Sequence, residues 1–308
     1  MKIKDNSALT LKKSGLISFI LFALLAVLRV YQSFALTDGK TGFFTEHNFS
    51  VSLMYIFAAA AVLVTLGLFY VSGNLPSGDL KKKPSLLYVL SSVFFGFSLI
   101  WDGVKSIKAF LGTEGGFIAQ TEAVGGNVGL VSMIFALLGG ISILLSLMIY
   151  IKSGSLTGKL KLPLLFPVIW AFTECLAFFS ITVSYVKVAQ LLLSIFSAAF
   201  LMVFLFENAR VLTGIGRKES LRFFFAAGCI CAGLSLAAGV PNMLTALFAP
   251  ENAVSYTPFE LYTVAGGLYA LASILSRDGE TAAEAETADG TEDSIGESDC
   301  GNNELTES

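Results

Sequence analysis

Glu174 is the residue that most invites chemistry. It stands in Trp170-Ala171-Phe172-Thr173-Glu174-Cys175, near the middle of an apolar run, 162–183, that holds no other charge. A carboxylate at the centre of a bilayer costs on the order of 3 kcal/mol on insertion scales, so such a residue by default faces a cavity, a partner or a proton path. The chemistry would be reversible binding of a proton or small cation. The structural alternative is a hydrogen-bonded tie between helices, made through Thr173 or Ser180.

Arg29 and Asp102 form a second pair of interest, each towards the end of its own apolar run, at depths that allow an ion pair. A plainer reading sends Arg29 to the lipid headgroups along its flexible stem and makes Asp102 the water boundary after Trp101. Pro241-Asn242 breaks the hydrogen-bond ladder of another run and would free carbonyls for a solute or ion, or else only kink a helix. Glu207 and Asn208 could gate a path, although Arg210 one turn on favours a surface ion pair with Glu207.

Several enzyme chemistries are excluded. Gly39-Lys40-Thr41 is no phosphate loop, because Phe34 occupies the place of its first glycine. His47 is the sole histidine, so zinc sites and catalytic triads built on histidine have no support. Cys229 and Cys231 project from different faces of a helix, and Cys175 and Cys300 stand apart from them, so no metal or disulfide pattern emerges. No cofactor is expected, and the chain leans away from being an enzyme.

The elements that must position these residues are membrane helices. Of 308 residues, 55% are hydrophobic and 14% charged, the balance of a chain dissolved in lipid. A hydrocarbon core of roughly 30 Å needs about 20 helical residues. Eight runs qualify, at about 16–36, 51–72, 85–107, 128–151, 162–183, 189–206, 221–247 and 258–275. A tight turn at 184–188 separates the fifth from the sixth.

Lys and Arg divide unevenly between the two sets of connections, with 15 of 20 on the face that carries the N-terminus. Positively charged loops stay inside, so both termini are expected in the cytoplasm. If Ser33-Phe34-Ala35 ended a cleaved signal peptide, seven helices would remain in the same orientation. The expected fold class is therefore an all-α integral membrane protein, a bundle of about eight transmembrane helices over 1–275. Residues 276–308 hold eleven acidic residues against Arg277 and are expected to be a disordered cytoplasmic tail.

Two blocks look alike: Phe69-Tyr70-Val71-Ser72-Gly73 with Lys83-Pro84-Ser85, and Ile149-Tyr150-Ile151-Lys152-Ser153-Gly154 with Lys161-Leu162-Pro163. They suggest a repeated helical hairpin, although positive-inside bias and proline at helix starts produce the same likeness. Small residues at Gly228, Ala232, Gly233, Ala237 and Gly239, and the pairs Gly139-Gly140 and Gly266-Gly267, indicate close helix packing. Thr257-Pro258-Phe259-Glu260 fits a helix start, which assigns Glu260 to capping.

The favoured function is transport of a small solute or ion in a bacterial plasma membrane. Its pathway candidates are Glu174, Thr173, Asn242, Arg29 and Asp102. The alternative is a non-catalytic sensor, assembly or partner-binding protein whose acidic tail recruits a basic protein. The lipid bilayer is the expected surrounding, and no nucleic acid is expected as a partner.

Overall fold

The fold was obtained as a computed structural model. It describes residues 11–36, 49–71, 84–114, 116–153, 162–180, 188–213, 218–248 and 259–277. The acidic segment from 278 onward, His47 and the 184–187 turn lie outside the described residues.

Every element among the described residues is helical: α1 (Leu11–Ala35), α2 (Phe49–Val71), α3 (Leu86–Gly112), α4 (Gly116–Ala123), α5 (Gly126–Ser153), α6 (Phe166–Ser180, preceded by a 3-10 turn at Pro163–Leu165), α7 (Val188–Leu212), α8 (Lys218–Phe248) and α9 (Phe259–Leu275). In a medium without water each backbone N–H and C=O must be paired within the protein, and the helix does that locally. Serine and threonine hydroxyls follow the same rule by bonding to carbonyls of their own helix, as Ser92 does to Tyr88 and Ser146 to Ser142.

Among the described residues, six helical stretches are long and apolar enough to cross a membrane: Lys13–Ala35, Phe49–Val71, Leu86–Gly112, Gly126–Ser153, Leu192–Leu212 and Ser220–Thr245. The expected fifth and eighth spans are shorter apolar helices, Pro163–Ala177 and Leu261–Leu275. One helix, α4, was not anticipated. It fills the loop after α3, with left-handed glycines at Gly116 (φ 85°), Gly125 (φ 93°) and Gly126 (φ 77°), a conformation that glycine adopts without steric cost.

The main core lies among α3, α5, α6, α7, α8 and α9 and takes in Phe69 of α2, and a smaller one joins α1 and α2 to α8 and to Leu193 of α7. The glycine pairs act as packing surfaces. A Cβ on Gly140 would stand 2.6 Å from the Gly96 carbonyl oxygen of α3, and one on Gly139 would stand 3.1 Å from the Pro167 backbone of α6. At Gly267 it would meet Ser235 of α8 at 2.8 Å, and at Gly233 the ring of Phe22 at 2.1 Å. The chain therefore brings helix backbones, or a backbone and a ring, into direct contact where these glycines stand.

The hairpin repeat is not borne out. Helices α5 and α6 pack along one another, whereas the backbones of α2 and α3, the corresponding pair, do not approach each other among the described residues. The likeness comes from helix-start chemistry. Ser85 caps α3 by accepting from the Tyr88 N–H, and Pro163 opens the turn before α6, with its carbonyl accepting from Ser142 Oγ at 2.6 Å.

Candidate functional site

Glu174 is half-buried, and three other helices supply its surroundings. Ser132 of α5 donates to its Oε1 at 2.5 Å. The buried phenol of Tyr262, in the first turn of α9, is a second hydrogen-bond partner. Asp102 of α3, 9% exposed, lies within electrostatic range of both Glu174 and Tyr262, with Lys105 close by on its own helix. Ser132 and Tyr262 thus bring two hydroxyls to Glu174 from α5 and α9, with the Asp102 carboxyl of α3 in electrostatic range. In so apolar a setting two like charges cannot both stand uncompensated, and a proton or a cation is what neutralises such a pair.

Thr173 is buried but donates to the Trp170 carbonyl at 2.8 Å, within its own helix. The tie to a neighbouring helix runs through Ser132 instead, and the Ser180 side chain lies outside the described residues. Below the carboxyls runs a column of rings. Tyr262 meets Trp170 edge-on at 5.4 Å, Trp170 meets Phe95 at 6.1 Å, Phe95 stacks on Tyr269 at 5.3 Å, and Tyr269 lies 6.0 Å from Tyr88. Tyr262, Gly266, Tyr269 and Ser273 recur at helical spacing along α9, with Arg277 just past its end, so one face of α9 lines this column.

A second polar group closes the far end of the column. The Arg277 guanidinium donates to Asn208 Oδ1 of α7 at 2.9 Å and lies 4.8 Å over the Phe224 ring of α8. Asn208 Nδ2 donates in turn to the Tyr269 hydroxyl at 3.1 Å. Beside them Ser276 and Ser85 share a hydrogen bond of 2.9 Å between α9 and α3. Glu207 pairs with Arg210 at 2.8 Å and also accepts from Ser220 of α8. The expected Glu207–Arg210 pair is present, yet Glu207 is buried and ties two helices together, where a surface pair was anticipated.

Arg29 and Asp102 do not meet. Helix α1 packs on α2 and α8, Asp102 sits on α3, and α8 and α9 stand between. Arg29 is 5% exposed and interacts with Tyr55 of α2, so it is held inside the protein and does not reach outward along its stem. Pro241 lies within α8 without ending it, and its carbonyl accepts from Thr245 Oγ1 at 2.9 Å. The Asn242 side chain and the Thr257–Glu260 capping box lie outside the described residues. No group of three or more potential metal ligands exists among the described residues.

Ser132, Tyr262 and Arg277 were not singled out from sequence. The regular spacing of Tyr262, Tyr269 and Arg277 on α9 was the available signal, whereas Ser132 is one serine among many. Comparison with protein-family models, with curated proteins and with solved structures finds no match for this chain.

Proposed function

We propose that this polytopic membrane protein carries a proton or small cation across the bilayer, alone or coupled to a small solute, with Asp102 and Glu174 as the binding pair. The observation that carries this reading is the Glu174 carboxyl in an apolar bundle, held by a hydroxyl from each of two neighbouring helices and with Asp102 in electrostatic range. An isolated structural tie needs one polar group and its partner. A second acid adds like-charge repulsion, which Lys105 beside Asp102 offsets in part and a bound proton or cation removes. Arg29 and Asn242, on α1 and α8, remain candidates for a second polar element of the path. The excess of Lys and Arg in alternate connections supports an eight-span topology with the Arg277 end in the cytoplasm of a bacterial cell.

The test is reconstitution in liposomes with an entrapped pH- or cation-sensitive dye under an imposed gradient. Glu174→Gln keeps an oxygen to accept from Ser132 and Tyr262, so the fold is retained while the charge is lost. A drop in flux of tenfold or more is expected. Wild-type flux in the variant, with Glu174→Cys inert to an impermeant maleimide from both sides, would refute the reading.

A second reading has an observation of its own. The bonds from Ser132 and Tyr262 satisfy Glu174 within the protein, as glue between helices would require. A sensor or partner-binding protein would then use the acidic segment to recruit a basic partner. In that case, removal of residues 278–308 abolishes the phenotype of the chain while Glu174→Gln leaves it intact.

A further inference from the structure

Helix α4 has no part in the binding pair, yet it joins α3 and α5, the helices that carry Asp102 and Ser132. Its side chains are arranged in the reverse of what water selects. Thr121 is 8% exposed and donates to the Phe117 carbonyl at 2.7 Å, and half-buried Gln120 donates to the Thr113 carbonyl at 3.3 Å. Phe117 and Ile118 are instead 67% and 76% exposed, and Leu111, in the last turn of α3, is exposed as well. A surface that shelters threonine and glutamine while displaying phenylalanine, isoleucine and leucine fits apolar surroundings.

The outward stripe of α3 tells at what depth α4 lies. Leu90, Phe94, Phe97, Trp101, Lys105 and Lys108 recur every three or four residues, and all are exposed. Along the helix the stripe reads apolar, then tryptophan, then lysine, which is the order of hydrocarbon, interface and headgroup. Helix lengths agree. Helices α3 and α5 have 27 and 28 residues, roughly 40 Å each, against a hydrocarbon core of roughly 30 Å and a bilayer of roughly 40–45 Å with its headgroups. The ends that α4 connects therefore emerge among the headgroups. Phe117 meets Phe110 of α3 edge-on at 6.1 Å, which ties the first turn of α4 to that level.

We propose that α4 is an interfacial anchor, lying in the headgroup layer with Phe117 and Ile118 dipping into the acyl boundary. The occupant of this apolar face is the lipid of the surrounding bilayer, because the face continues the lipid-facing stripe of α3 within the membrane's thickness. Glu122, exposed one turn after Ile118, keeps the far end of α4 at the water side and bars deeper burial. Such an anchor fixes the height of α3 and α5 against the membrane, and with them Asp102 and Ser132. It is independent of what the binding pair holds.

The experiment uses the full chain in vesicles of phosphatidylcholine and phosphatidylglycerol, with Cys175, Cys229, Cys231 and Cys300 replaced by Ser or Ala. A nitroxide is attached in turn at Phe117→Cys, Ile118→Cys, Glu122→Cys and Leu63→Cys, the last an exposed mid-span position on α2 that sets the lipid value. Power saturation reads collisions with oxygen, which concentrates in lipid, and with a water-soluble nickel chelate. Phe117→Cys and Ile118→Cys are expected to follow Leu63→Cys in favouring oxygen, with an oxygen-to-nickel ratio severalfold above that at Glu122→Cys. A ratio at Ile118→Cys no higher than that at Glu122→Cys places α4 in water and overturns the anchor. Poor access of both reagents to Ile118→Cys, as in a helix folded over the bundle, overturns it too.

Discussion

The two ends of the ring column solve the problem of polar groups in lipid in opposite ways. At one end two acids from different helices are set near each other, with Ser132 and Tyr262 attending one of them. At the other, Arg277, Asn208 and Tyr269 form an ordered chain of donor and acceptor, each partner complementary to the next. Like charges brought together raise the energy of the folded state unless something joins them, whereas a complementary chain lowers it. The contrast sets a strained candidate binding pair at the first end and a satisfied tie between helices at the second.

The largest effect that would sharpen this contrast lies in the acids themselves. Asp102→Asn and Glu174→Gln are each expected to lower dye-reported flux at least tenfold, and the double variant little further, because two groups that share one occupant act as a unit. Multiplicative losses would break the pair into two separate sites. Next comes the seam that keeps the ends apart. Gly140→Ala forces a methyl against the Gly96 carbonyl and should destabilise the bundle by about 1–3 kcal/mol in denaturant titrations in mild detergent.

The stabilities of the two ends should then differ in sign. Arg277→Met keeps the stem and removes the guanidinium, with an expected loss of about 1–2 kcal/mol from the ring contact and hydrogen bond. Glu174→Gln relieves repulsion and should leave unfolding unchanged or slightly raise its midpoint. Equal destabilisation by both would erase the distinction between the ends. The smallest effect is that of Ser132→Ala, about 0.6 kcal/mol, the average for a hydrogen bond between membrane helices, read from the same unfolding curves.

Much of the framework was legible because hydropathy is a local property. Six of the eight expected runs recur as long helices, and Glu174 stood out because the cost of a carboxylate in an apolar run needs no knowledge of its neighbours. Adjacency was not legible. Every face of a helix in lipid is apolar, so the pattern that orients a helix in a soluble core is missing, and contact is decided by small residues such as Gly140 and Gly267. Arg29 and Asp102 illustrate the difficulty. Equal depth suggested a pair, but depth says nothing of position around the bundle, and α8 and α9 separate them. Asp102 lies instead within electrostatic range of Glu174, on a helix distant in sequence.

The ring of Phe22, seated against Gly233, carries a consequence for the making of the protein. About 210 residues separate the two, and a ribosome adding roughly 5–20 residues per second needs roughly 10–40 s to cover that distance. The first helix therefore enters the bilayer long before its socket is synthesised. It waits against α2 and lipid, and docks once α8 has arrived. The seating of α1 on α8 is thus a late contact, made only after most of the intervening helices exist.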